Sequence, residues 1–268
     1  MNWWQAIILG LVQGLTEFLP VSSSGHLTIG RELLGVEASG DLVFEVTVHA
    51  ATVFATIVVF WKPILRLLKG LFKFKYNDET DYIFKIAVSM IPVFIVGMFF
   101  KDYVEELFSS LAVVGGALLV TAALLFFSDR AKPRDTQKSP AARNGISYLQ
   151  AFIIGVGQAF AVVPGLSRSG TTISTGLLCG VKRSDVAQFS FLMVLVPILG
   201  EAFLDLVGGE TLTSSIGVLP LVLGFISAVA AGLLACRLMI ALVKKAKLKW
   251  FALYCAIAGL TVLICTLV

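Results

Sequence analysis

Six long apolar stretches constrain this chain more than any other feature of its sequence. Each has roughly the 20 mostly apolar residues that an α-helix needs to cross a lipid bilayer, and they lie at 42–61, 83–101, 111–128, 186–206, 216–236 and 250–268. Only 14% of the residues are charged and 57% are hydrophobic, whereas about a quarter of a soluble domain is charged. We therefore predict an all-α polytopic membrane protein with one membrane domain over 1–268, and we expect no nucleic-acid partner.

Two further apolar runs are broken by proline before they are long enough to span the bilayer. Residues 3–19 run into Pro20 and resume to about residue 35, and residues 148–163 run into Pro164 and resume to about residue 181. Non-helical backbone at membrane depth is tolerated only where it is buried in protein or lines a wet cavity. We therefore predict two re-entrant helical hairpins, 3–35 and 148–181, each entering and leaving on one side.

Basic residues alternate between the connections in a way that predicts the orientation of the chain. The loops 62–75, 129–143 and 237–249 each carry five Lys or Arg residues, whereas the connections at 37–41, 101–106 and 208–215 are acidic or neutral. Loops rich in Lys and Arg stay on the cytoplasmic side. The first hairpin should then enter from outside, the second from inside, and both termini should lie outside.

The two hairpins also resemble each other in sequence. The stretch "GLVQGLTEFLPVSSSG" matches "GVGQAFAVVPGLSRSG", with Gln13 and Gln158 145 positions apart and Ser23 and Ser167 144 apart. Each half adds three spans, an odd number, so the second copy must be inverted. We predict two repeats, 1–130 and 146–268, and such inverted repeats bring their broken helices face to face near the bilayer midplane.

The polar residues of the two turns suit an anionic ligand. Arg168 offers the planar guanidinium that best matches phosphate oxygens, and Ser23 and Ser24 should begin a short helix whose free N–H groups favour an anion. Gln13 and Glu17 lie four residues apart and share a helix face. A carboxylate at this depth needs a cation, a metal or a proton. An enzyme that binds phosphate inside the bilayer most sensibly acts on a lipid phosphate.

These residues carry a family resemblance. "QGLTEFLPVSSSGH" and "PGLSRSGTT" resemble the two signature motifs of the bacterial undecaprenyl-diphosphatase family, also called bacitracin-resistance proteins. The resemblance implies hydrolysis of undecaprenyl diphosphate to the monophosphate and inorganic phosphate, which recycles the lipid carrier for cell-wall synthesis and confers bacitracin resistance. It also implies a divalent cation, Mg²⁺ or Ca²⁺, and a site that faces the outer side of the bacterial cytoplasmic (inner) membrane.

The resemblance further implies roles for single residues. Glu17 would hold the metal or orient the nucleophile, Ser23 would be the nucleophile, His26 the acid/base or an alternative nucleophile, and Arg168 would clamp the diphosphate. The expected substrate-binding residues are Gln13, Ser22, Ser24, Ser167, Ser169 and Thr172. Some family members carry Glu at the position of Gln13, and an amide cannot act as a carboxylate base, so a supporting role is expected there.

Several alternatives stay open at this point. A transporter or flippase of a polyprenyl phosphate lipid could use the same architecture, and an anion-binding structural protein could use the same turns. The sequence does not distinguish Ser23 from His26 as the nucleophile, nor does it decide on a homodimer. The four cysteines are expected to be small buried hydrophobic residues.

Overall fold

The computed structural model describes residues 1–36, 42–108, 110–131, 144–207, 216–245 and 247–267, and every regular element within them is an α-helix. These helices follow one another as α1 (Trp3–Phe18), α2 (Ser23–Leu34), α3 (Leu42–Val59), α4 (Trp61–Leu71), α5 (Asp78–Phe99), α6 (Lys101–Leu107), α7 (Leu111–Ser128), α8 (Tyr148–Phe160), α9 (Arg168–Leu178), α10 (Arg183–Val207), α11 (Val218–Lys245) and α12 (Lys249–Leu267).

The predicted spans appear as long apolar helices. In the described part of the chain, α5, α7, α10, α11 and α12 are each long and apolar enough to cross a membrane, and α3 with α4 makes a sixth candidate that bends by 77°. The structure therefore confirms an all-α polytopic membrane protein. The acidic connections predicted at 37–41 and 208–215, and most of the basic loop at 129–143, lie outside the described residues.

Both broken runs fold as pairs of short helices, as predicted. A capping box begins each hairpin, formed by Asn2 with Gln5 before α1 and by Ser147 with Gln150 before α8. These two boxes satisfy free N–H groups that a helix start would otherwise leave unpaired. The chain then breaks near each proline and restarts at α2 and α9, which are only 12 and 11 residues long.

Each hairpin packs against a long helix from the other half of the chain. Gly10 and Gly14 on α1 leave no room for a side chain because α11 backbone at Gly224 and Ala228 lies against them. Gly155 on α8 is covered in the same way by the backbone of Ser89 on α5. The packing is reciprocal between the two halves of the chain, which is consistent with an inverted repeat; the repeat boundaries stay a prediction.

Two of the predicted basic loops are largely helical. The segment 62–75 contains α4, and α11 continues to Lys245, so that Arg237 lies within a helix rather than in a loop. Two of the stretches that the charge pattern assigned to loops thus lie largely within helices, and the predicted orientation stays a prediction. A basic stretch that is also amphipathic forms a helix along the membrane surface, which the charge count does not distinguish from a loop.

The cysteines follow the expectation only in part. All four are free thiols, and Cys236 and Cys255 are buried. Cys179 is half-buried and Cys265 is exposed, which corrects the prediction for these two. Cys265 lies near the end of an apolar spanning helix, where an exposed face meets lipid rather than protein.

Candidate functional site

The first turn brings a carboxylate and a hydroxyl together. Ser23 Oγ donates a hydrogen bond of 2.6 Å to Glu17 Oε2, and Gln13 Nε2 donates to the same oxygen at 2.9 Å. Gln13 and Glu17 share one face of α1, as their spacing predicts, and Ser23 is the first residue of α2. The carboxylate thus holds the serine hydroxyl with its proton directed at Glu17, which is the arrangement that activates a serine nucleophile.

Ser22 caps α2 with a strained backbone. Its hydroxyl accepts a hydrogen bond from the N–H of Gly25 at 3.3 Å, and its φ of +72° lies where residues with a side chain rarely occur. Backbone strain of this kind costs about 1–3 kcal/mol and is kept only where surrounding contacts enforce it. Ser22 therefore shapes the turn. Its hydroxyl oxygen lies 3.4 Å from the hydroxyl oxygen of Ser24.

Both ring nitrogens of His26 are occupied. Nδ1 lies 2.7 Å from the carbonyl oxygen of Ser22, and Nε2 lies 2.7 Å from the hydroxyl of Tyr254, whose ring stacks on the imidazole. A carbonyl oxygen only accepts hydrogen bonds. Nδ1 therefore carries the proton, and in the neutral ring Nε2 accepts from the Tyr254 hydroxyl. His26 holds the strained carbonyl of Ser22, and neither nitrogen is directed at Ser23.

The second turn is fixed by a threonine from a spanning helix. Thr121 Oγ1 on α7 accepts a hydrogen bond from the N–H of Ser167 at 3.0 Å and reaches the carbonyl oxygen of Gly165 at 3.3 Å. Gly165 has φ of +90°, which suits glycine. Ser167 then caps α9 by accepting from the N–H of Gly170 at 3.0 Å. Arg168 is consequently the first residue of α9.

The two turns are in direct contact. A side-chain carbon on Gly25 would lie 3.1 Å from the Cα of Gly165, a tighter contact than most side chains make, so glycine favours this close approach. The hydroxyl of Ser169 donates to the carbonyl oxygen of Leu19 at 3.3 Å, which joins the start of α9 to the end of α1. The structure thus brings the two proline-broken segments together, as the repeat predicts.

The structure changes the pairing between the two turns. Ser22 and Ser167 are the N-caps, and Gly25 and Gly170 donate to them. Ser22 is therefore the counterpart of Ser167, whereas the sequence comparison paired Ser23 with Ser167. In this register Ser23 and Arg168 occupy the same place, the first residue of the short helix. A one-residue slip at the prolines produced the earlier pairing.

Several buried polar atoms near the turns have no hydrogen-bond partner among the residues that the structure describes. They are Gln13 Oε1, Gln158 Oε1, Arg168 Nη1 and Thr171 Oγ1. Gln13 must direct its amide nitrogen at the Glu17 carboxylate, so its oxygen is the atom left free. Buried polar groups are rarely left unpaired unless something else binds there. A guanidinium nitrogen and an amide oxygen in this state suit an anion and a cation, respectively.

Thr172 is directed away from the turn. Its hydroxyl bonds to the carbonyl oxygen of Arg168 at 2.9 Å and shares a 2.6 Å hydrogen bond with Ser190 on α10. It is fully buried. Thr172 thus anchors α9 to the bundle in this structure, and its predicted contact with substrate stays untested.

Comparisons with known proteins agree with the motifs. Residues 6–261 match the model of a family described as "Bacitracin resistance protein BacA". The chain belongs to this family. It is 57% identical to an undecaprenyl-diphosphatase of Parabacteroides distasonis over 100% of this chain and 99% of that one, and 57% identical to one of Bacteroides thetaiotaomicron over 98% and 99%. An undecaprenyl-diphosphatase of Methanosphaera stadtmanae is 39% identical over 98% of both chains.

The acidic residues of the site suit a cation that the substrate also binds, rather than a cation bound by protein side chains alone. No three His, Cys, Asp or Glu residues cluster as a metal site within the described ranges. The family's first motif supplies one carboxylate, Glu17, beside the unpartnered oxygen of Gln13. Mg²⁺ in proteins commonly takes one or two carboxylates and completes its shell with waters and substrate phosphates. Glu17 and Gln13 Oε1 supply enough oxygen ligands for a cation that substrate phosphates and water also bind.

Sequence reasoning missed Tyr254 and Thr121. The sequence could have indicated Thr121, because it is the one polar side chain in the apolar run "VTAALL" of its span. Nothing in the sequence indicates Tyr254, since it lies in the last helix, 228 residues from His26. Neither residue belongs to the two family motifs, and only the packing of the helices shows which groups they contact.

Proposed function

We propose that this protein is an integral-membrane phosphatase that hydrolyses undecaprenyl diphosphate to undecaprenyl phosphate and inorganic phosphate. The observation that carries the proposal is the 2.6 Å hydrogen bond from Ser23 to Glu17, at the start of a helix that touches the turn of Arg168. The full-length likeness to undecaprenyl-diphosphatases supplies the substrate.

Ser23 is the proposed nucleophile. Its oxygen attacks the terminal phosphorus, Glu17 accepts the hydroxyl proton, and the bond between that phosphorus and the bridging oxygen breaks. Undecaprenyl phosphate leaves with the bridging oxygen, and the terminal phosphoryl group remains on Ser23. Water then attacks the phosphorus of the phosphoserine, and the bond from phosphorus to the Ser23 oxygen breaks. Glu17 returns its proton to that oxygen, and inorganic phosphate leaves with the oxygen and protons of the water. The 2.6 Å hydrogen bond to Glu17 favours Ser23 over His26, whose ring nitrogens are both engaged.

Arg168 and the helix starts hold the diphosphate. Phosphoryl transfer is accelerated mainly by positioning and by charge that stabilises the equatorial oxygens. The buried, unpartnered Nη1 of Arg168 provides such a charge. The N-termini of α2 and α9 add their free N–H groups and positive dipole ends. Ser24 and Ser169 lie beside these starts and are the proposed hydroxyl contacts.

A divalent cation, Mg²⁺ or Ca²⁺, is proposed at Glu17 and Gln13 Oε1. When bound there it would neutralise phosphate charge as the leaving group departs. Glu17 would then orient both the cation and the serine hydroxyl.

The lipid substrate fits a site that is reached from within the membrane. Glu17, Ser23 and His26 are only half-buried, so the first turn is open on one side. We propose that the prenyl chain stays in the bilayer of the bacterial inner membrane while the headgroup reaches the turn. The charge alternation favours access from the outer face.

The test is direct. Purified protein with a polyprenyl diphosphate and Mg²⁺ should release inorganic phosphate, and chelation should abolish the release. In single-turnover experiments the phosphate should be trapped on Ser23, and Ser23→Ala should neither trap it nor turn over. A folded wild-type preparation that releases none, or a phosphoenzyme located on His26 instead, would overturn the proposal or its nucleophile, respectively.

A further inference from the structure

Helix α4 leaves the axis of the span that precedes it. The chain bends by 77° between α3 and α4, and Phe60 occupies the corner. Phe60 is buried, and its ring centroid lies 5.9 Å from that of Phe191 on α10. This packing fixes the bend. Helix α3 follows the predicted span 42–61, so the bend turns α4 away from the direction of that span and toward the plane of the membrane surface.

The side chains of α4 divide into distinct faces. Ile64 and Leu67 pack against the protein core. A second, exposed set is apolar and aromatic: Trp61, Leu68, Leu71 and Phe72. Basic residues recur every three or four positions and so form one stripe, consisting of Lys62, Arg66, Lys69 and Lys73. A helix with a strong apolar face and a Lys/Arg-rich polar face lies in the membrane interface.

The basic stripe lines a cavity of about 410 Å³ between α4 and the start of α5. Its one acidic lining residue is Glu79, which is already paired with Arg66 Nε at 3.0 Å. Lys62, Lys69 and Lys73 form no ion pair with any residue that the structure describes. Three lysines therefore line one cavity, and none of them is held in an ion pair with a described residue.

We propose that this cavity binds the phosphate headgroup of an anionic phospholipid, taken from the leaflet that the basic end of the molecule faces. A lipid satisfies both exposed faces of α4 at once, since its headgroup meets the lysines while its acyl chains meet Trp61, Leu68 and Phe72. Volumes of about 300–1,000 Å³ are usual for small-ligand sites. A free anion would meet only the charge, and the apolar side chains would stay uncovered.

The cavity shares no residue with the two turns, so the lipid site is independent of the proposed hydrolysis. Close packing at the end of α4 maintains the shape of the cavity. Gly70 is buried against the side chain of Glu79, and Asn77 Nδ2 donates to the carbonyl oxygen of Gly70 at 2.8 Å. The site is thus part of the folded protein and needs no substrate to exist.

Native mass spectrometry of the purified full-length protein can test the proposal. The protein is titrated with phosphatidylglycerol or with phosphatidylcholine, and bound lipids are counted. The test variant is Lys62→Gln/Lys69→Gln/Lys73→Gln, which leaves the Arg66–Glu79 pair intact. The matched control is Lys182→Gln/Lys247→Gln/Lys249→Gln, which removes the same charge from the same end of the molecule.

Wild type and control should retain at least one phosphatidylglycerol and show no comparable binding of phosphatidylcholine. The test variant should bind phosphatidylglycerol about tenfold or more weakly, since each Lys near an anionic surface contributes substantially to binding, while its melting temperature and phosphate release stay near wild type. Equal binding by the test variant, or an equal loss in the control, would overturn the proposal. Displacement of the lipid by inorganic phosphate would also overturn it, because the cavity would then be a free-anion site.

Discussion

The two turns share one cap design and differ in what they carry. Each has a serine N-cap that accepts from a glycine N–H three residues later. Each also has a second serine two positions after the cap, with 3.4 Å between the two hydroxyl oxygens. The difference lies at the first helical residue, which is Ser23 in one turn and Arg168 in the other.

The two turns also differ in their exposure and in the contacts that hold them. The first turn leaves Glu17, Ser23 and His26 half-exposed and keeps its strained shape through side chains. In the second turn residues 164–167 are buried, Arg168 is half-buried, and Thr121 fixes the backbone. The two turns therefore supply two similar helix starts for an anion, and the side chains that differ between them, Glu17 with Ser23 in one and Arg168 in the other, divide the roles, with reaction at the first turn and charge at the second.

The largest effect is expected at the carboxylate of the first turn. Glu17→Gln keeps the size of the side chain but removes the proton acceptor for Ser23, so kcat/KM should fall by about 10³-fold, within the range for a positioned base. Phosphate release in detergent measures it. Glu32→Gln, which changes an exposed carboxylate on α2, should stay within about twofold of wild type. Activity of Glu17→Gln within tenfold of wild type would remove Glu17 from the reaction.

The next effect tests the charge on the second turn. Arg168→Ala should lower kcat/KM by about 10²–10³-fold, because the developing phosphate charge loses its donor. Arg168→Lys should recover only part of this, since an ammonium cannot replace the planar fork. Equal activity of the Lys variant and wild type would show that Arg168 acts as a point charge and not as a clamp.

Thr121→Val probes how the second turn is held. The buried N–H of Ser167 loses its acceptor, which should destabilise the protein by about 1–3 kcal/mol and lower activity by displacing Arg168. Thermal unfolding and phosphate release are both measured. Thr56→Val is the matched control, since Thr56 is also buried but donates only to Thr52 within its own helix. Similar losses in the two variants would contradict a special role for Thr121.

The smallest effect is expected at Tyr254. Tyr254→Phe keeps the ring that stacks on His26 but removes the 2.7 Å hydrogen bond, which should cost about 2- to 10-fold in activity, the worth of one neutral hydrogen bond. Tyr103→Phe, at an exposed tyrosine on α6, should have no effect. In a His26→Ala background, Tyr254→Phe should cause no further loss. An unchanged penalty there would show that Tyr254 acts without His26.

Much of this architecture was predictable from the sequence. The apolar lengths located the spanning helices, and Pro20 and Pro164 located the breaks. The spacing of Gln13 and Glu17 predicted their shared face, which the 2.9 Å hydrogen bond confirms. These features depend on local pattern and on the hydrophobic thickness of a bilayer, so sequence reports them directly.

The remaining features depend on three-dimensional packing. The sequence alignment paired Ser23 with Ser167, whereas the N-caps show that Ser22 is the counterpart of Ser167. The two turns differ by one residue in length after the proline, and only the N-cap geometry shows where that difference lies. Tyr254 reaches His26 from the far end of the chain, and no local pattern marks such a contact. The basic connection after α3 is the helix α4. The bend at Phe60 that separates the two helices depends on packing of the Phe60 ring on Phe191 of α10, which the local sequence does not show.

The packing of α1 on α11 has a consequence during synthesis. About 200 residues separate Gly14 from Ala228, which covers it, and a ribosome needs roughly 10–40 s to add them at about 5–20 residues per second. Until α11 emerges, the first hairpin has Glu17 and Gln13 in the membrane without their protein cover. A nascent chain that stalls before this helix lacks the packing that covers the first hairpin, so we expect activity to begin only when translation is nearly complete.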